Sequence, residues 1–306
     1  MSRIIFERTR KFCDRIGIGV PILLAPMAGV PAPALSIAVA RAGGLGACGV
    51  LTMRPSDIAG WAAEVRAGGA VAFQLNTWVP DPPPARDAAH ESAVRRFLAL
   101  WGPEVPSSAG GTTLPDFAEQ FESMLAARPA VVSSVMGLFA PAQVTALKAG
   151  GIPWVATVTT LDEARAAAAA GADMLAVQGA EAGGHRGSFD PRWAERRLVG
   201  GMSLIPAVAD VVDLPVIAAG GIADGRGVAA ALALGASAVQ VGTGFLRSPE
   251  AGITTSWAEA IGRAAPEDTV ITRAFSGRPG RSLPTRYVEA AMRDDSPSPA
   301  PYPVQR

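Results

Sequence analysis

One punctuation mark recurs along this chain: a helix-like stretch stops at glycine, and a short apolar run follows at once. It is found at Ala42-Gly43-Gly44, Ala67-Gly68-Gly69, Ala149-Gly150-Gly151, Ala170-Gly171 and Leu234-Gly235, while Arg128-Pro129 and Asp213-Leu214-Pro215 do the same job with proline. Glycine accepts the left-handed backbone that ends a helix, and proline cannot continue one. The apolar runs that follow, at about 45–48, 71–75, 130–134, 152–156, 173–177, 215–218 and 238–241, are the size of strands buried on both faces. Ile22–Ala25 adds another at the start. Eight strands alternating with helices in 306 residues predict an α/β fold, a closed (β/α)8 TIM barrel in one domain.

The spacing says where function sits. Most strands begin roughly 21 to 26 residues after the previous one, but the intervals after strands three and six are far longer. Each following strand keeps its own helix, so the surplus belongs to the carboxyl ends of strands three and six, where barrel enzymes build their sites. The sequence therefore predicts a helical, proline-rich insert over 76–128 and an extended loop over 178–200. Asp81-Pro-Pro-Pro84 stiffens the start of the insert, helices are expected at 85–100 and 115–127, and residues 85–128 are expected to act as a lid. The barrel is expected to end near 288. Residues 289–306, rich in proline, serine and charge, are expected to be disordered.

Strands seven and eight carry the strongest chemical signal. Val216–Ala219 runs into Gly220-Gly221, and Ala238–Val241 runs into Gly242-Thr243-Gly244. Without a Cβ in the way, backbone N–H groups at these neighbouring strand ends can close on a phosphate, a common use of the last two loops of such a barrel. Other strand ends add polar or adaptable groups. Pro26 and Met27 follow strand one, where methionine offers a surface for a flat ring. Asn76 ends strand three with both donor and acceptor capacity, and Gln178 ends strand six where its amide can meet a heterocycle edge. Next comes Gly179-Ala-Glu-Ala-Gly-Gly-His-Arg-Gly187, with one of only two histidines in the chain. His185 lies among glycines on the oversized loop, and imidazole exchanges protons near neutral pH, so it is a candidate catalytic acid or base. His90, in the polar insert, reads as structural or solvated. Glu181 and Arg186 read as loop braces.

Composition removes several alternatives. Lys plus Arg and Asp plus Glu are 27 each, with no block of like charge, which argues against nucleic acid or an anionic membrane as partner. The uncharged apolar runs are too short to span a bilayer, and the charged start Met1-Ser-Arg-Ile-Ile-Phe-Glu-Arg lacks a signal-peptide core. Cys13 and Cys48 have no metal-ligand spacing and read as reduced, structural residues of a cytoplasmic enzyme; no metal is expected.

Taken together and in order, Ala25-Pro26-Met27, Asn76, Gln178 with Glu181-Ala-Gly-Gly-His-Arg-Gly187, Ala218-Ala-Gly-Gly-Ile222, Gln240-Val-Gly-Thr243 and Thr272-Arg-Ala-Phe-Ser-Gly-Arg278 resemble the nitronate monooxygenase (2-nitropropane dioxygenase) family. The resemblance runs from about residue 10 to 280. It implies FMN as cofactor, held by Asn76, Gln178, Gly183, Gly220, Gly221, Gln240, Val241, Gly242 and Thr243, with Pro26 and Met27 beside its ring and His185 over the substrate. It also implies a small nitro or nitronate substrate and dioxygen, giving a carbonyl compound and nitrite. The continuation after Arg278, Pro279-Gly-Arg-Ser-Leu-Pro, departs from the family's usual pattern, and tyrosine is scarce, with Tyr287 and Tyr302 alone. The alternatives are an NAD(P)H-dependent FMN reductase of the enoyl-thioester or quinone reductase kind, and a flavin-free barrel that binds or isomerises a phosphorylated ligand.

Overall fold

The computed structural model describes residues 2–27, 29–30, 32–111 and 113–306; Ala28 of the strand-one run and Thr112 of the insert lie outside the described residues. Eight parallel strands form the barrel: β1 Ile22–Leu24, β2 Gly46–Gly49, β3 Phe73–Trp78, β4 Val131–Val135, β5 Trp154–Val158, β6 Met174–Gln178, β7 Val216–Ala219 and β8 Ala238–Val241. Neighbours in sequence are neighbours in the sheet. β8 returns to β1 in register Leu24 with Val241, and a parallel bridge from Leu23 to Leu45 completes the circle.

Several strands lie one or two residues beyond the expected runs, because the residues just after each glycine belong to the turn. Ile152, for example, still bonds back to Leu147, and pairing starts only at Trp154 against Val132. Gly43, Gly69, Gly151, Gly171 and Gly235 all have positive φ, the geometry these αβ junctions need.

The leading helix Ser2–Ile16 closes the bottom of the barrel. Its Phe12, Cys13 and Ile16 pack on the inward layer Leu23, Leu45, Val131, Val155, Met174, Ile217 and Ala238. An open barrel end would leave that layer wet, so the plug is stabilised by apolar burial. Cys48 is buried as well, and desolvation pushes its thiol up to about 12, so it is inert.

The long insert divides in two. Helix Phe117–Ala126 belongs to the barrel wall: Phe121 and Met124 are buried in the main core, and Gln120 Nε2 bonds to the carbonyls of Val50, Leu51 and Met53. The covering part is therefore the segment before it, with its prolines and helix Ala88–Leu98. Asp87 caps that helix through Ala89 and His90 N–H groups, as an acceptor at this position should.

The chain end corrects the expected disorder. After helix Arg286–Ala291 the tail lies across the covering segment. His90 Nε2 is 2.8 Å from the Ser298 carbonyl, Ala300 is buried, Tyr302 packs on Trp78, and Gln305 Nε2 bonds to the Ala274 carbonyl at 2.9 Å. Such a composition cannot make a core of its own, but stiff proline segments lose little entropy when two anchors find ready-made sockets. Gly277 lets the tail pass. Its φ is +78°, and a Cβ there would stand 2.2 Å from the Ala300 carbonyl oxygen. Gly277→Ala is expected to displace the tail at a cost of roughly 1–3 kcal/mol. Trypsin should then cut after exposed Arg293 faster than in the parent; an unchanged cleavage rate would count against this docking.

Candidate active site

At the carboxyl ends of the strands, contacts run continuously from β1 through β8 and β7 to β6. Ala25 N–H donates to Val241, Ala219 pairs with Gln240, and Gly179 N–H donates to Ala219 at 2.9 Å. A Cβ on Gly242 would touch Ala25 Cβ at 3.3 Å and Met27 Sδ at 3.7 Å, so Met27 lies beside the β8 turn. Pro26 is half-buried next to it. Gly220 and Gly221 both hold positive φ, at 113° and 65°. The loop after β6 folds over them: a Cβ on Gly183 would meet Thr243 Oγ1 at 2.5 Å, and one on Gly220 would meet Ala182 N at 3.0 Å. Thus Met27, Gly183, Gly220, Gly221, Gly242 and Thr243 are brought together, with Gly183, Gly221 and Thr243 exposed.

Gln240 sits below this cradle, and its Oε1 is buried with no hydrogen-bond partner among the described residues. A buried acceptor left alone costs on the order of 1–3 kcal/mol, so the position suits a ligand donor. Val241 is buried with its side chain in the core, which leaves only its backbone to face the site. Asn76 stands on a separate wall, two strands from β1, where its Nδ2 bonds to Ser133 Oγ at 2.8 Å. Gln178 is engaged with its own loop: Nε2 donates to the His185 carbonyl, and Oε1 accepts from Gly187 N–H and Arg186 Nη1. It fixes the loop and keeps one amide hydrogen for a ligand.

Glu181 and Arg186 are braces. The Glu181 carboxylate accepts from Gly201 N–H, at the start of helix Gly201–Ala209, where the helix dipole favours negative charge. Arg186 is fully buried and holds the Gln178 and Gly179 carbonyls.

His185 lies in a two-residue strand, Gly184–His185, paired with Gly280–Ser282, which in turn pairs with Val270–Thr272. Its Nε2 is 2.6 Å from Ser276 Oγ, and the Trp78 ring stands edge-on at 4.8 Å. Tyr302 packs on the far ring of that pair, 5.2 Å from Trp78. Burial, and then the Arg278 charge, lower the His185 pKa to about 4, so the ring is neutral near pH 7. A neutral imidazole beside a hydroxyl can take or return a proton.

Trp78 and Tyr302 join this candidate site without a role expected from the sequence, and Ser276 and Arg278 lie in the Thr272–Arg278 run that carries the family resemblance but were given no role there. Trp78 had a usable signal, since it shares the inward face of β3 with Gln74 and Asn76 by simple alternation. Tyr302 had none, buried as it is in a stretch whose composition reads as disordered. A cavity of about 600 Å³ is lined by Asp81, Arg278, Tyr302 and nearby prolines and by none of the strand-end glycines. It is a cleft beside the site, not the cradle itself.

Strands, loops and side chains so arranged define a (β/α)8 barrel with a candidate site at the carboxyl ends of its strands. The nitronate monooxygenase family model matches residues 10–306. The chain belongs to this family of flavin-dependent oxidoreductases. It is 40% identical over 305 residues to a nitronate monooxygenase of Paraburkholderia phytofirmans, covering 96% of this chain and 82% of that protein. Among solved structures it is similar to nitroalkane oxidase from Streptomyces ansochromogenes, with TM-score 0.80, 33% identity and 91% of this chain covering 80% of that one. It is also similar to FabK from Thermotoga maritima, with TM-score 0.71, 32% identity and 91% of this chain covering 76% of that one. Among the described residues no helix is long and apolar enough to cross a membrane.

Proposed function

We propose that this protein uses FMN to oxidise small alkyl nitronates with dioxygen, yielding a carbonyl compound and nitrite. The observation that carries this reading is one juxtaposition: a neutral His185 on a loop that folds over a glycine-lined cradle, with an unpartnered acceptor, Gln240 Oε1, beneath it. The residues fit the cofactor. Gly220, Gly221, Gly242 and Thr243 offer backbone N–H groups to a phosphate, and Gln240 Oε1 would accept from an N–H of the ring system. Gly183, Val241, Asn76 and Gln178 complete the pocket, with Pro26 and Met27 along the ring. Bound FMN supplies the electron-accepting and dioxygen-reducing chemistry.

The chain's own part is placement and proton control. Ser276 orients the His185 imidazole, Trp78 walls one edge of it, and the docked tail excludes water behind Trp78. A preformed nitronate has already lost its proton, so His185 would act on it as a hydrogen-bonding group; on a neutral nitroalkane it would act as base. Neutral nitroalkanes such as nitroethane are therefore a second substrate class for the same site.

The test is anaerobic mixing of the oxidised flavoprotein with ethylnitronate or with NADH. Rapid bleaching of the flavin by ethylnitronate alone is the expected result. Bleaching by NADH alone would replace this reading with that of a reductase, and a colourless protein would favour a flavin-free ligand site.

A further inference from the structure

Arg278 is buried at 3% exposure, close enough to His185 for its charge to disfavour the imidazolium. Its guanidinium grips the Asp81 carboxylate with two bonds, Nε to Oδ2 at 2.8 Å and Nη2 to Oδ1 at 2.5 Å. Nη1 lies on the sulfur of Met136, a residue held at φ +69° in the turn after β4. Forked, charge-assisted pairs of this kind fix orientation as well as distance.

What the pair connects gives it meaning. Asp81 opens the proline run three residues after Trp78, and Arg278 lies two residues after Ser276. Trp78 and Ser276 both contact the His185 ring. Ser276 Oγ also accepts from Arg278 N–H at 3.3 Å, so the 276–278 turn goes where the guanidinium is anchored. The same turn passes Pro279, whose carbonyl accepts from Arg186 N–H beside His185. Removing Asp81 would leave a buried cation without its partner, and the turn would have to move to hydrate it.

We infer that Asp81 is a positioning residue for His185: through Arg278 it fixes the 276–278 turn, sets the Ser276–His185 hydrogen bond and holds the proline-rich segment across the site. This rests on the reading of His185 given above. Several charged groups lie on the elements packed around the imidazole: Arg278 on the 273–280 loop and Asp81 on the insert are paired with each other, whereas Arg273 on that loop holds Glu195, Arg281 on the paired strand holds the Ala180 carbonyl, and Arg186 holds the Gln178 and Gly179 carbonyls. Beyond Trp78, the Tyr302 hydroxyl is raised to about 12 by burial and stays neutral.

The experiment uses holoenzyme with isotope-labelled histidine. The chain has two histidines, so the His185 ring signals can be followed beside those of His90. In Asp81→Asn the His185 ring nitrogen signals should move, and kcat on nitroethane should fall roughly tenfold to a hundredfold with KM within about threefold. Asp81→Glu should recover the signals and most of kcat. The double change Asp81→Asn with Arg278→Gln removes both charges and serves if the single variant folds poorly; its His185 signals should stay displaced. Unmoved His185 signals in the folded variants, or a loss confined to KM, would overturn the inference. A parent enzyme inert to ethylnitronate would remove the functional reading alone, because the ring signals still decide whether Asp81 positions His185.

Discussion

His185→Asn is expected to lower turnover of nitroethane by roughly 10²–10⁴-fold, the usual contribution of a positioned general base. Asparagine keeps a hydrogen-bond donor and loses the base. Ethylnitronate needs no proton removed, so its turnover should fall by about tenfold or less, the scale of one weakened hydrogen bond. The pH profile follows from the lowered pKa. Protonation removes the base, so nitroethane activity should decline as pH falls toward about 4 and show no His185 inflection between pH 6 and 8. Ethylnitronate activity should be flat across that upper range. Normal rates with both substrates in His185→Asn would remove His185 from the chemistry.

Gly242→Asp is expected to yield protein with its fold intact and its flavin largely gone. The φ of Gly242 is −109°, outside the left-handed region, and a Cβ there would stand 3.3 Å from Ala25 Cβ, which must give by a few tenths of an ångström, and 3.7 Å from Met27 Sδ, an ordinary contact. The carboxylate would therefore enter the cradle with a local adjustment at Ala25. Opposing a phosphate with a like charge costs on the order of 3 kcal/mol, about a hundredfold in affinity. Gly242→Asn, equal in size and uncharged, should keep much more. Flavin absorbance per polypeptide after purification measures both, and full occupancy in Gly242→Asp would move the phosphate elsewhere. Gly221→Val is a poorer probe. Its side chain would strike Glu181 Cγ at 2.9 Å from a backbone at φ +65°, so cofactor loss there would follow from strain.

Much of this architecture was legible in order along the chain. Each glycine junction marks a local event, a helix ending and a strand beginning, and local events are what residue type controls. The long intervals after β3 and β6 point to the candidate site for the same reason, since a barrel displays every such loop at one end. Packing divides the segment expected to act as a lid, residues 85–128. Two helices of similar length occur between β3 and β4, and only packing tells that Phe117–Ala126 faces the core while Ala88–Leu98 meets the tail.

By itself, then, the sequence determined the alternation of strands and helices, the glycine turns at the ends of β7 and β8, and the placing of His185 on the long loop. These depend on φ, on apolar run length and on spacing, all of which act over a few residues. Only the tertiary structure decided that His185 is neutral, because its pKa depends on burial and on Arg278, 93 positions away in the chain. Only it joined Asp81 to Arg278 and laid Tyr302 on Trp78. Those contacts arise between segments with no local reason to meet, and they form because buried charge needs a partner and apolar surface needs cover.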